Sequence, residues 1–145
     1  MTRVDSTGRR RARESALQML YQWEVGSHPP AYVEQTFMHG RNLAPDVDTF
    51  ARSLFSGTVG EVASLDRTIA AHAEHWRMER MPAVDRNILR LALYEMLHHP
   101  ETPGAVVINE ALELARRFGG SDSVEFVNGV LDAIWKSLPQ AQPKA

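Results

Sequence analysis

The chain has 145 residues, 43% of them apolar and 23% charged, with a formal net charge of −2 and no cysteine. That length suits one domain with a substantial core, and the lack of cysteine excludes disulfides and thiolate metal sites. No apolar run approaches the roughly 18 residues of a membrane span. Gln18, Gln22 and Glu24 interrupt the segment after the basic start, which makes it a poor signal peptide, so a cytoplasmic protein is expected. Charge is unevenly spread. Residues 1–13 hold Arg3, Arg9, Arg10, Arg11 and Arg13 against Asp5, a net +4, which leaves −6 on the remainder. A basic end on an acidic body can hold a polyanion locally.

In chain order, the first expected helix covers about residues 7–25, with Ala12, Ala16, Met19/Leu20 and Trp23 recurring at helical spacing. Gly26-Ser27-His28-Pro29-Pro30 ends it. A shorter helix follows, with Val33 and Phe37 one turn apart, and stops near Gly40. Pro45-Asp46 opens a long third helix whose apolar face runs through Val47, Phe50/Ala51, Leu54, Thr58, Val62, Leu65 and Ile69. Gly57 and Gly60 inside it each cost about 1 kcal/mol relative to Ala, which points to close approach of a neighbouring helix.

Residues 72–81 are polar and short-period, a broken turn. Pro82 begins a helix over residues 84–97 that is apolar nearly all round and belongs in the middle of a bundle. Asp85, Arg86, Arg90, Tyr94 and Glu95 form its polar edge. Thr102-Pro103 reads as an N-cap with proline at the first helical position. The following helix runs to Phe118, burying Ile108, Ala111/Leu112 and Ala115, and Gly119-Gly120 stops it. Asp122-Ser123-Val124-Glu125 has the form of a capping box. The last helix buries Val127, Val130/Leu131, Ile134 and Leu138, and residues 139–145 form a tail expected to be disordered. No strand alternation survives, so the fold class is all-α, with six or seven helices.

Catalytic chemistry finds little support. There is no Gly-x-Gly-x-x-Gly, phosphate-binding loop or Gly-x-Ser-x-Gly. His72 and His75 stand one helical turn apart, a spacing that can hold a metal, but no third ligand follows at a useful distance. Solvated histidines at a helix end account for them, and neither a metal nor a cofactor is expected. Glu79 and Asp85 read as an exposed acidic patch. The Arg9-Arg10-Arg11-Ala12-Arg13 run is either a solvated or poorly ordered helix end, or a grip for phosphate. Pure arginine suits bidentate phosphate contacts, and positive charge at a helix N-terminus opposes the macrodipole, so folding alone gives no reason for it. Gly129, beside Asn128 in the last helix, is expected to pack tightly against a neighbour. Phe126 lies off the core stripe near Asp122, either as a stacking platform for an unpaired base or as core.

Four segments occur in order: Arg9-Arg10-Arg11-Ala12-Arg13-Glu14 continuing into Ala16-Leu17-Gln18-Met19-Leu20-Tyr21; Asp85-Arg86-Asn87-Ile88-Leu89-Arg90-Leu91-Ala92-Leu93-Tyr94-Glu95-Met96-Leu97; Ile108-Asn109-Glu110-Ala111-Leu112-Glu113-Leu114-Ala115; and Phe126-Val127-Asn128-Gly129-Val130-Leu131-Asp132. Together they resemble the NusB family of bacterial transcription antitermination factors, over about residues 9–138. The resemblance implies an all-α fold of two packed subdomains of about three helices each, here about residues 7–72 and 80–138. It implies binding of single-stranded boxA RNA from ribosomal RNA leaders together with NusE, a small-subunit ribosomal protein. The pair would load that RNA onto the RNA polymerase elongation complex with other Nus factors, without catalysis.

Carried over by position, Arg9, Arg10, Arg11 and Arg13 correspond to the family's RNA-contacting start, and Asp122 and Phe126 to its continuation. Tyr21, Glu79 and Asp85 fall on the NusE-facing side. Residues 77–81 depart most from the family pattern. Two other readings are an RNA-binding accessory domain related to the N-terminal domains of RNA methyltransferases and a non-catalytic helical scaffold that binds only protein. A chain ending at residue 145 leaves no room for a methyl-transfer domain, so an enzyme is not expected.

Overall fold

The computed structural model describes residues 4–139; Arg3 and residues 140–145 of the expected tail lie outside them. Every regular element among the described residues is helical: α1 (Ser6–Val25), α2 (Pro30–Met38), α3 (Pro45–Gly60), α4 (Val62–His72), a 3-10 turn (Met78–Arg80), α5 (Ala83–His98), α6 (Gly104–Phe118) and α7 (Ser123–Ser137). No described helix is long and apolar enough to cross a membrane. The chain divides into two compact units, one up to Gly60 and one from Glu61 onward.

The first unit holds α1, α2 and α3. Asp5 caps α1, its carboxylate accepting the Gly8 N–H at 2.7 Å, so the helix starts one residue before the expected position. Ala12, Ala16, Met19 and Leu20 are fully buried, and α3 meets them with Ala51, Leu54 and Phe55. Val33 and Phe37 of α2 close the cluster.

The long third helix of the sequence reading is two helices, broken at Glu61. A Cβ on Gly60 would meet nothing within 4 Å, so close approach does not explain that glycine. It marks the end of α3, where the chain passes from one unit to the next. The divide therefore falls before residue 62, and α4, expected in the first subdomain, packs with α5 and α7 in the second. The second unit has four main helices instead of three.

In that unit α5 is the central helix, contacting α4, α6 and α7. The expected polar edge of α5 is largely internal. Asp85, Arg90 and Glu95 are at most 5% exposed. Arg90 donates bidentately to Asp66 at 2.7 and 2.8 Å and also to Asn87 Oδ1 at 3.1 Å. No buried side-chain nitrogen or oxygen among the described residues lacks a hydrogen-bond partner, which is what makes ionic groups tolerable in this interior. On α6 the buried stripe runs through Val107, Ala111, Leu114 and Ala115, one position off the expected Ile108 and Leu112. The helix begins at Gly104, one residue after Pro103, and the Trp135 indole lies against that glycine where a Cβ would stand. The α7 stripe of Val127, Val130, Leu131 and Ile134 is buried as expected, whereas Leu138, expected to continue it, caps the helix and is half-buried. Gly129 is not: it is exposed, and a Cβ there would meet open space.

Candidate nucleic-acid interface

On α1 the four arginines separate. An α-helix turns about 100° per residue, so neighbours in sequence cannot share a face. Arg13 follows Ala12 and precedes Ala16 and Leu17 by three and four positions, which puts it inside the buried arc. It is 4% exposed and already engaged by other groups. That corrects its expected place in an open phosphate grip. Arg10 and Arg11 face solvent, and Arg9 is half-buried. At the other end of α1, Tyr21 is 43% exposed.

The second unit carries a pocket of about 380 Å³, lined mainly by the start of α7 and by the loop between α4 and α5. Each wall is fixed by an identifiable interaction. Asp122 is exposed, and its side chain makes no capping hydrogen bond, against the capping-box expectation. Ser123 does the local work instead. Its hydroxyl accepts the Gly120 N–H at 2.9 Å and donates to the Asp85 carboxylate at 2.6 Å. Gly119 permits this approach: a Cβ there would lie 2.5 Å from Ser123 Oγ and 2.8 Å from the Ala115 carbonyl oxygen. Asp85 is therefore a buried anchor for the loop before α7, not part of an exposed acidic patch.

The opposite wall comes from residues 73–82. Arg86 on α5 donates to the Met78 and Met81 carbonyls at 2.9 and 2.7 Å, pinning the 3-10 turn onto the helix. Glu79, in that turn, is exposed. His75 takes a positive φ of 68°, a region that non-glycine residues visit uncommonly, and Trp76 follows it. Trp76 meets Phe126 edge-to-face, with ring centroids 5.6 Å apart and 61° between planes. Phe126 is half-buried, so it is both packed and open to the pocket. His72 is not simply solvated: a ring nitrogen bonds the Thr68 carbonyl at 2.9 Å, the nitrogen donating because the carbonyl can only accept.

These features fall into two sets. Arg9, Arg10, Arg11 and Tyr21 belong to the first unit; Asp122, Phe126, Glu79 and Asp85 belong to the second, where Asp122, Phe126 and Asp85 line the same pocket. The model of the NusB family matches residues 10–136. The chain belongs to the NusB family. A transcription antitermination protein NusB from Solibacter usitatus is 51% identical over 137 residues, which is 91% of each chain. Among solved structures, NusB of T. maritima aligns with a TM-score of 0.81 at 35% identity, over 89% of this chain and 91% of that one. A crystal structure of antitermination factors NusB and NusE in complex with dsRNA aligns with a TM-score of 0.84 at 26% identity, over 92% of this chain and 100% of that one.

For this NusB-family chain, sequence reasoning missed Trp76, Ser123 and Arg86 as parts of the site. Trp76 sits in a polar, aperiodic stretch where no hydrophobic pattern frames it. Its one detectable mark was isolation: a large aromatic among charged residues with only the small Ala73 as an apolar partner three or four positions away.

Proposed function

We propose that this chain is a transcription antitermination factor that binds single-stranded boxA RNA of ribosomal RNA leaders together with NusE. The complex would then be loaded onto the RNA polymerase elongation complex with other Nus factors. One observation carries the reading: a family member of the same fold occurs in complex with NusE and dsRNA, and this chain presents Arg10 and Arg11 to solvent at its basic end. Guanidinium groups stay charged at all cellular pH and pair with phosphate in a fork geometry. They supply affinity, while Asp122 and Phe126 offer hydrogen-bond acceptors and a ring face to bases, which supply choice of sequence. Tyr21 and Glu79 are exposed and are the partner-facing residues of this reading, with acidic Glu79 complementing a basic ribosomal protein.

The test is binding of boxA and scrambled RNA across a salt series. Affinity should fall with salt, with a log–log slope of about −0.7 per phosphate neutralised on a single strand. Replacing Arg10 and Arg11 with Ala should flatten that slope by about 1.4 if each meets one phosphate, with helical content unchanged. A parent protein that prefers boxA no more than scrambled RNA, or a double variant with the parental slope, defeats the proposal. For the protein partner, Glu79→Lys should weaken co-purification with NusE; undiminished recovery removes Glu79 from that surface.

A further inference from the structure

The pocket of the second unit contains more than Asp122 and Phe126. Its large exposed aromatic wall is Trp76, which is 47% exposed. An indole left this far open forgoes burial worth about 25 cal/mol per Å² of apolar area, yet it is held in place. The Trp76 backbone N–H donates to the Ala73 carbonyl at 3.1 Å, the indole ring abuts Phe126, and Arg86 pins the loop just beyond it. The Phe126 side is held equally firmly through Ser123 and Asp85. Walls fixed before any ligand arrives lower the ordering cost of binding. A volume of about 380 Å³ lies within the usual range for small-ligand sites.

The rim narrows the occupant. Asp122 and Glu125 are exposed carboxylates lining the pocket, and an ionised carboxylate can only accept hydrogen bonds. Such a rim repels phosphate, so a nucleotide would enter base first with its backbone outside. Adenine, cytosine and guanine carry amino donors at N6, N4 and N2. Uracil carries no amino group, and its one donor on the pairing edge, N3–H, is flanked by two carbonyl oxygens that the carboxylates repel.

We propose that Trp76 and Phe126 wall a slot for one unpaired nucleobase, and that the carboxylate rim makes the slot prefer a base bearing an exocyclic amino group. This rests on the RNA-binding reading above and adds to it a stacking residue and a rule of selection. Stacking on one aromatic is worth about 1–3 kcal/mol per base, which is roughly 5- to 150-fold in affinity.

The experiment uses the full chain and fluorescently labelled boxA RNA. It adds a set of the same RNA in which each amino-bearing base in turn is replaced by uracil. Trp76→Ala should weaken boxA binding by about 5- to 150-fold while leaving the salt slope unchanged, because no phosphate contact is lost. Trp76→Phe should restore most of the affinity. One uracil replacement should weaken the parent protein much more than it weakens Asp122→Asn. Trp76 is exposed, so these variants keep the fold, and circular dichroism verifies that.

If Trp76→Ala binds boxA as the parent does while the Arg10/Arg11 variant is weakened, the slot is wrong and the RNA-binding reading survives. If the parent itself binds no RNA in a salt-dependent way, the broader reading fails first. Loss of NusE co-purification by Trp76→Ala with RNA affinity intact would make this surface a protein contact and overturn the proposal. Equal loss on every uracil replacement in parent and Asp122→Asn would refute the selection rule alone.

Discussion

An exposed partner-facing carboxylate could be replaced without cost to folding. A buried carboxylate bonded to Ser123 could not. Asp85 is 4% exposed and accepts the Ser123 hydroxyl at 2.6 Å. A hydrogen bond to a charged group contributes about 1.5–3 kcal/mol. Asp85 also lies in the first turn of α5, where the helix dipole adds about 0.3–1 kcal/mol. Relief of the carboxylate's own desolvation opposes both. Asp85→Ala is therefore expected to destabilise the protein by about 2 kcal/mol. Urea unfolding followed by circular dichroism reads the change as a lower midpoint with an unchanged slope. A double-mutant cycle with Ser123→Ala should give a coupling of about 1–3 kcal/mol, because the two side chains share one hydrogen bond. If Asp85→Ala unfolds within about 0.5 kcal/mol of the parent and loses only NusE co-purification, Asp85 is a surface contact and the anchoring argument is wrong.

Arg13 and Arg11 should part company in the same assay. Truncating buried Arg13 to Ala removes packed side-chain volume and its buried interactions and costs about 1–3 kcal/mol, whereas Arg11→Ala leaves the midpoint unmoved and changes only RNA binding; equal stability losses would refute the helix-face assignment. Gly129→Ala should stabilise the protein by about 1 kcal/mol, since the new Cβ meets open space in mid-helix; a lower thermal midpoint would mean that the site is crowded. Burial, helped by the nearby Glu61 carboxylate, holds the Tyr94 phenol above its ordinary value of 10.0. Between that value and the raised one the folded state keeps a proton that the unfolded state has lost. Stability present below pH 10 therefore falls as pH rises through that window. Tyr94→Phe should make the fall shallower in urea midpoints taken from pH 9 to 11; an identical pH profile would show that Tyr94 does not couple to folding.

Patterns carried by apolar periodicity were legible in the sequence. The stripes of α1, α5 and α7 emerge at the positions the spacing gives, because burying one face is the dominant gain and 3.6-residue spacing marks that face. Polar residues were misread wherever their role depends on a partner distant in sequence. Arg90 looked like a solvent edge until Asp66 stood beside it, and Asp85 looked like an acidic patch until Ser123 donated to it across 38 positions. Glycines were misread in both directions. Gly60 and Gly129 suggested close packing and have none, while Gly119 suggested a flexible stop and instead makes room for Ser123. A glycine in sequence records only that a side chain is missing, and the reason lies in the neighbours.

The proposed division of labour across the chain follows from the same physics. Charge is visible in sequence, so the arginine run was noticed first, but consecutive residues such as Arg9, Arg10 and Arg11 on a helix point in different directions. The fold buries Arg13 and leaves Arg10 and Arg11 to meet solvent. Exposed arginines bind any polyanion, because every nucleotide carries the same phosphate. Discrimination needs contacts that differ among bases. In the second unit Trp76, Phe126, Asp122 and Glu125 offer ring faces and acceptors in one pocket, with no lysine or arginine lining it among the described residues. A site built without cations gains little from the backbone and much from the base, so its contribution to affinity should survive high salt while that of Arg10 and Arg11 fades.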